Sequence, residues 1–398
     1  MTYEKINAYV EENKDAAIDM LTKAIQIPSV TGEEKNISLY FQDVFKKMNL
    51  ETQVIALDEE RPNLIATWEG NKEKTFIFNG HYDVFPPNQD NPGTYGPWSA
   101  KIVDGNMYGR GTVDMKGGIC AAVMAVKFLQ ELNFDPQGNI VISLDVDEES
   151  GGKYGVEHVL NQGYLKGDYG VCMEATEGKV QVEGGGGIFV KVVYRSESWH
   201  GAFQRNCMDA LQKGHQALQK LYELDDKIRK EKYYDALNGG AFLSVTEFYA
   251  GEAMNVHPGM CSITIDRRII PSETPESAYQ EICDALDELK HENPEMDYEI
   301  DLLSRMPALK VDERSPVVIS ALKSYEKVFA AKSDVYRRTG GTDSAKIVEK
   351  YGFSMPNFGP GIADEQTMSP NEHLSIQEYL DYIKVYMLMV CDLLGKEA

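Results

Sequence analysis

A chain of 398 residues exceeds one ordinary domain, and 42% hydrophobic content is enough for a sizeable core, so two domains are expected. A formal charge of −23 and a pI near 4.8 argue against nucleic acid as a partner, because phosphate backbones need clustered Lys and Arg. No run approaches the ~18 apolar residues of a membrane span. The N-terminus shows no apolar leader, and the six cysteines have no C-x-x-C spacing, so no membrane association and a cytoplasmic location are expected.

In chain order, Ile18, Leu21 and Ile25 recur on one helical face up to Pro28, and Ile37, Phe41, Val44 and Met48 do so after Thr31-Gly32. Strands at 52–57 and 63–68 follow. The stretch 75–118 comes next, opening with the short apolar run Phe76-Ile77-Phe78, a buried strand that Asn79-Gly80 ends. His81 and Asp83 stand directly after it. In an H-x-D pair the imidazole can bind a metal through one nitrogen while the carboxylate holds the proton on the other. A Pro-rich loop over 85–98 leads to Tyr108-Gly109-Arg110-Gly111. Asp114 then precedes a helix whose Ile119, Val123, Val126 and Leu129 share a face. Alone, Asp114 reads as a helix cap. The next buried strand, 139–144, ends in Asp145-Val146-Asp147-Glu148-Glu149-Ser150-Gly151-Gly152. A helix near 154–161 leads to a strand at 169–173 that ends at Glu174. Strands alternating with helices indicate a layered α/β domain with a mostly parallel central sheet, whose chemistry collects at strand carboxyl ends. His81, Glu148 with Glu149, and Glu174 at such ends form a constellation that capping does not explain.

The Gly184–Gly187 run leads into a strand and not a helix, which makes it a hinge and not a phosphate loop. From there the order is strand 188–195, helix 207–222, strands 241–249 and 260–268, helix 275–290 and strand 296–303. This β-α-β-β-α-β order is a ferredoxin-like α+β unit. It divides the chain into a first domain over 1–186 and 306–398 and an inserted domain over 187–305. A helix at 316–330, the GGTDSA turn with its helix, a strand at 354–358 and a helix at 376–394 complete the first domain.

The motifs GHYDVFPP, YGRGTVDMKGG, DEESGG, MEATEG, GGTDSA and FGPG…SPNEH, in this order, resemble those of the metallohydrolase family of acetylornithine deacetylase, succinyl-diaminopimelate desuccinylase, aminoacylase and carboxypeptidase G. The resemblance implies a catalytic domain for two zinc ions, carrying an inserted lid or dimerisation domain. It implies that His81 and Glu174 bind one metal, that Glu149 helps bind a second and that Asp114 bridges them. Glu148 would be the general base and Asp83 the partner of His81, with a cis peptide between Asp114 and Met115. His200 would reach across a homodimer to stabilise an oxyanion. Asn255, Arg268 (in preference to Arg267) and the backbone of Gly341 would hold a free carboxylate of the substrate. The implied cofactor is Zn2+, one or two per chain, with Co2+ or Mn2+ as alternatives. The implied reaction is hydrolysis of an amide in an N-acyl amino acid or small peptide. Its alternatives are a di- or tripeptidase and a non-catalytic binding protein. One departure stands out: Met368 occupies the position of the family's last metal-ligand histidine, and a thioether is a poor ligand for zinc or manganese. His373, five positions on, is the other imidazole of that loop. A weak or empty second site is the preferred reading.

Overall fold

The strand Thr75–His81 lies at the centre of a nine-stranded sheet in the computed structural model, which describes residues 1–70, 74–363 and 367–396. Parallel partners flank it on both sides, Asn139–Asp145 and Tyr169–Ala175, with His81 level with Asp145. Its apolar run is unbroken because both faces are covered. Phe78 meets Tyr386 of the helix Ile376–Leu394, while the alternate residue Ile77 joins Val156, Val159 and Ile347 on the other face. The helix Lys116–Glu131 is buried along almost its whole length, packed between that last helix and the sheet, and its sequence is accordingly apolar nearly all round.

The sheet is mixed, which corrects the expectation of a mostly parallel one. Its order is Glu51–Ile55, Asn63–Trp68, Asn139–Asp145, Thr75–His81, Tyr169–Ala175, Asn357–Gly359, Val180–Gly184 and Leu309–Lys310, with Val335–Arg338 also on Val180–Gly184. Only the centre is parallel. Glu51–Ile55 returns antiparallel to Asn63–Trp68 across a short loop, and Asn63–Trp68 runs antiparallel to Asn139–Asp145. At the other margin, Leu309–Lys310 and Asn357–Gly359 are antiparallel to Val180–Gly184. The parallel centre is where the strand ends converge on one side.

Several elements were not expected, among them the marginal strands Val180–Gly184, Leu309–Lys310 and Val335–Arg338. A helix Tyr3–Glu12 precedes the first predicted one, and Asn13 separates it from Lys14–Gln26. A hairpin joins Lys101–Val103 to Asn106–Tyr108 through Asp104-Gly105, both with positive φ (50° and 79°), as a two-residue hairpin turn needs. His373–Ser375 adds a third strand to it.

The chain divides into two compact units, the first comprising Met1–Val182, Val311–Tyr336 and Lys346–Ala398 and the second Glu183–Lys310 with Arg337–Ala345. The second holds an antiparallel sheet ordered Phe242–Ala250, Met260–Ile269, Gly186–Arg195 and Tyr298–Met306. Helices Ala210–Glu231 and Pro275–Glu292 pack against it, giving the β-α-β-β-α-β order. Its core joins Val190, Val192, Ile263 and Ile265 of the sheet to Leu221 and Ile282 of the helices. The turn Gly340-Gly341 groups with this unit and not with the first, where the sequence assigns it. Gly185 N–H donates to Arg338, and a Cβ on Gly341 would stand 2.6 Å from Met306 Cγ. The Gly184–Gly187 run, expected as a hinge, is mostly strand. Gly186 and Gly187 pair with Ile269 and Arg268, and a Cβ on Gly186 would collide with Met306 O. Among the described residues no helix is long and apolar enough to cross a membrane.

Candidate active site

His81 ends the central strand and is buried. Its Nδ1 lies 2.9 Å from the backbone carbonyl of Asp83. A carbonyl can only accept, so the proton sits on Nδ1 and the lone pair of Nε2 points the other way. Nε2 is buried without a hydrogen-bond partner and faces Asp114 Oδ1 at 3.2 Å, Glu174 Oε1 at 3.5 Å and Glu148 Oε2 at 3.9 Å. Burial opposes a charge on this imidazole, but Asp114, Asp83 and Glu174 overcome it and hold the pKa well above the ordinary value. The pocket is built to receive positive charge. His81, Asp114 and Glu174 each offer a ligand atom within 4.8 Å of the others, so a cation fits these donors in place of that proton.

Asp83 does two jobs with different atoms. Its carbonyl orients His81, with the carboxylate a more distant 3.4 Å from Nδ1. The carboxylate instead accepts from the N–H groups of Glu148 (3.2 Å) and Glu149 (3.4 Å) and from Thr31 Oγ1 (2.8 Å). Those bonds fix the short helical turn Glu148–Ser150 that follows Asn139–Asp145. Glu149 accepts from Phe85 N–H; burial and then the charges of Asp114, Asp83 and Glu174 push its pKa upward, with His81 opposing.

Asp114 follows a loop gripped by a residue that sequence reading passed over. Glu372 is 2% exposed and accepts from the N–H groups of Val113 (2.8 Å) and Asp114 (3.2 Å) and from Arg110 Nη1 (2.7 Å). Burial nevertheless pushes its pKa up to about 6. The P-N-E segment signalled this residue only as part of a motif; its partners lie more than two hundred and fifty positions away, at a separation of 262 for Arg110. The Asp114–Met115 peptide bond is cis, as the resemblance implies.

The family model described as "Peptidase family M20/M25/M40" matches residues 77–392, which include every one of these side chains except Thr31. The chain belongs to this family. It is 25% identical to an uncharacterized metallohydrolase of Methanococcus maripaludis over 94% of this chain and 98% of the relative. It is 25% identical to a probable succinyl-diaminopimelate desuccinylase of Staphylococcus aureus over 93% and 95%. A solved M20 metallo-carboxypeptidase from Sulfolobus solfataricus superposes with a TM-score of 0.77 at 19% identity, covering 94% of this chain and 98% of that one, which speaks to the fold. The chain is a metallohydrolase of family M20.

In this M20 chain Met368 is 47% exposed and has φ +63°, and its carbonyl accepts from Arg110 Nη2 at 3.1 Å. The preceding residues 364–366 lie outside the described part. His373 pairs with Tyr108 and stacks on its ring at 4.8 Å, and its Nδ1 lies 2.9 Å from the Asn371 carbonyl. Among the described residues His373 is not a member of the group formed by His81, Asp114 and Glu174.

The other predicted site residues belong to the second unit. His200 and Asn255 are in contact, Nε2 to Nδ2 at 3.3 Å, beside the strand pair Trp199–His200 and Val256–His257. The two neighbouring arginines separate clearly. Arg267 is fully buried and paired with Glu273 and Glu281. Arg268 lies over Phe189, bound to Asp266 at 2.8 Å, and lines a cavity of about 500 Å³ with Phe242, Asn238, Gly185 and Gly340.

Proposed function

We propose that this chain is a metal-dependent amidohydrolase that cleaves an N-acyl amino acid, or a small peptide, bearing a free carboxylate. The observation that carries the reading is the buried, unpartnered Nε2 of His81 facing Asp114 and Glu174, with Glu148 3.9 Å away. His81, Asp114 and Glu174 would hold one cation; an imidazole with carboxylates suits Zn2+, and Co2+ or Mn2+ accept the same donors. Glu149 with Asp114 would offer a second, weaker place, since Met368 supplies no imidazole. A bound cation supplies Lewis acidity, polarising the substrate carbonyl and acidifying water. Glu148 is assigned the proton: its carboxylate takes one from the attacking water and returns it to the amine nitrogen as the C–N bond breaks. Asp83 keeps Glu148 facing His81 through the N–H bond described above.

The second unit is assigned the role of an inserted lid and dimerisation domain. His200 there would stabilise the oxyanion, and Asn255 and Arg268 with the Gly341 backbone would take the free carboxylate, a planar guanidinium fork being suited to that anion. The desuccinylase name of the S. aureus relative supports the N-acyl reading, and the carboxypeptidase likeness keeps peptides in view. The test is amine release on a panel of N-acetyl and N-succinyl amino acids, dipeptides and tripeptides, with metal per chain measured on the same samples. Turnover confined to acyl amino acids supports the proposal, and turnover confined to peptides makes the chain a peptidase. Retained metal with no turnover anywhere leaves a binding protein.

A further inference from the structure

Glu148 sits in a turn whose left flank is unusual. Asp147, the residue before it, is a non-glycine in the left-handed region (φ +66°), a conformation that must be held by its surroundings. Its carboxylate is buried and divided between two donors: Tyr154 N–H at 3.0 Å and Arg61 Nη2 at 2.8 Å. The same Arg61 nitrogen reaches Glu34 Oε1 at 2.6 Å, and Arg61 Nε reaches Glu34 Oε2 at 3.0 Å. Glu34 has no exposed surface and also accepts from Gly32 N–H at 2.8 Å. One residue earlier, Thr31 donates to Asp83, whose carboxylate accepts from the N–H groups of Glu148 and Glu149. The contacts close into a ring that runs through Asp83, Thr31, Glu34, Arg61 and Asp147 and back to Glu148. Arg61 is the one cation among its members. It is 12% exposed at the side chain, and its guanidinium lies over the Tyr154 ring at 4.7 Å.

We infer that Arg61 is a positioning residue for hydrolysis, acting through Asp147 to hold the Glu148 carboxylate against His81. The inference rests on the assignment of Glu148 as the base. The ring is expensive to bury, since Glu34 and Asp147 are two carboxylates that a hydrophobic core of the same size would not need. What it supplies is a fixed backbone on both sides of one side chain. Asp83 fixes the N–H side of Glu148 and Arg61 fixes the residue before it. A displacement of about 1 Å at a group that transfers a proton can cost on the order of 100-fold in rate.

The test compares Arg61→Met, Arg61→Lys and Asp147→Asn with the wild type and with Glu148→Gln. The readouts are kcat and KM on the best substrate of the panel, zinc per chain, urea midpoint, and amide hydrogen exchange over 147–152. Arg61→Met should lower kcat by roughly 10- to 100-fold while KM stays within about twofold and zinc content is unchanged. Arg61→Lys keeps the charge and should recover part of the loss. Exchange at the Glu148 and Glu149 amides should rise while the helix Lys116–Glu131 stays protected. In the Glu148→Gln background, Arg61→Met should cost nothing more, because the group it positions is gone. If Arg61→Met does not fold, Arg61→Lys and Asp147→Asn carry the same comparison, since both leave Glu34 partnered. Losses that multiply in the double variant, parallel loss of zinc and KM, or unchanged kcat and exchange would each overturn the inference. An unimpaired Glu148→Gln would instead remove the base assignment. A chain without turnover on the panel leaves hydrogen exchange to decide whether Arg61 holds the turn.

Discussion

Removing the Glu372 carboxylate is the substitution whose cost is most fully set by what surrounds it. Glu372→Ala strands Arg110, whose side chain is 5% exposed, and breaking a buried ion pair in this one-sided way costs about 3–5 kcal/mol. It also takes the acceptor from the N–H groups of Val113 and Asp114, at about 1–3 kcal/mol each where no water replaces it. These losses share one site and do not add in full, so a total near 4 kcal/mol is expected. With a urea m-value of roughly 3 kcal/mol per molar, the midpoint falls by more than about 1 M. Zinc per chain should fall too, because the freed N–H of Asp114 loosens the loop carrying that carboxylate. Glu372→Gln keeps an acceptor for both N–H groups and should cost less. Its comparison with wild type has a pH signature. Burial raises the Glu372 carboxyl from 4.5 to about 6. A raised carboxylate pKa means the fold binds the proton more tightly than the unfolded chain does. Wild-type stability from this group is therefore present below about 4.5 and is lost as pH rises through 6. Between pH 7 and 4.5 the wild type should gain roughly 2 kcal/mol on the Gln variant. A Glu372→Ala midpoint within 0.2 M (about 0.6 kcal/mol) of wild type, or a gap that does not change with pH, refutes this reasoning.

Met368→His should raise metal per chain toward two and increase hydrolysis, whereas His373→Ala should change neither; release of a metal by His373→Ala would make His373 the ligand. Arg268→Met should raise KM for carboxylate-bearing substrates with stability nearly unchanged, and Arg267→Met should instead lower the urea midpoint, because it removes a buried guanidinium that Glu273 and Glu281 share with Lys232; the reverse pattern would exchange the two roles. Mixing Glu148→Gln with His200→Ala chains should restore part of the activity if His200 acts across a dimer. Demonstrated mixed dimers without recovery would place its action within one chain.

The sequence made the strand ends legible because each is an apolar run cut off by a polar residue. Phe76-Ile77-Phe78 before His81 and Tyr169–Ala175 around Glu174 follow that rule, and both strands are buried on two faces. Asp114 was legible only through its motif, since a lone Asp before a helix reads as a cap. The ring around Glu148 was not legible. Arg61 and Asp147 are 86 positions apart and Arg110 and Glu372 are 262 apart, and no periodicity reports such pairs. The mixed character of the sheet was missed for a related reason: strand direction at the margins depends on which neighbours pair, and local composition does not encode it. The Asp104-Gly105 hairpin did carry a local signal, an Asp-Gly turn between two short strands, in the stretch between the expected loop at 85–98 and Tyr108, to which no element was assigned. The assignment of Gly341 to the second unit rests on close approach to Met306, a tertiary contact.

The central claim is that His81, Asp114 and Glu174 hold a cation while Glu148 moves the proton. Glu148→Gln tests it most directly, measured as kcat together with zinc per chain on one preparation. The account predicts turnover lowered by at least about 100-fold with zinc content unchanged. Loss of zinc in parallel with turnover would show that Glu148 is a ligand, exchanging its role with Glu149, and undiminished turnover would contradict the account outright.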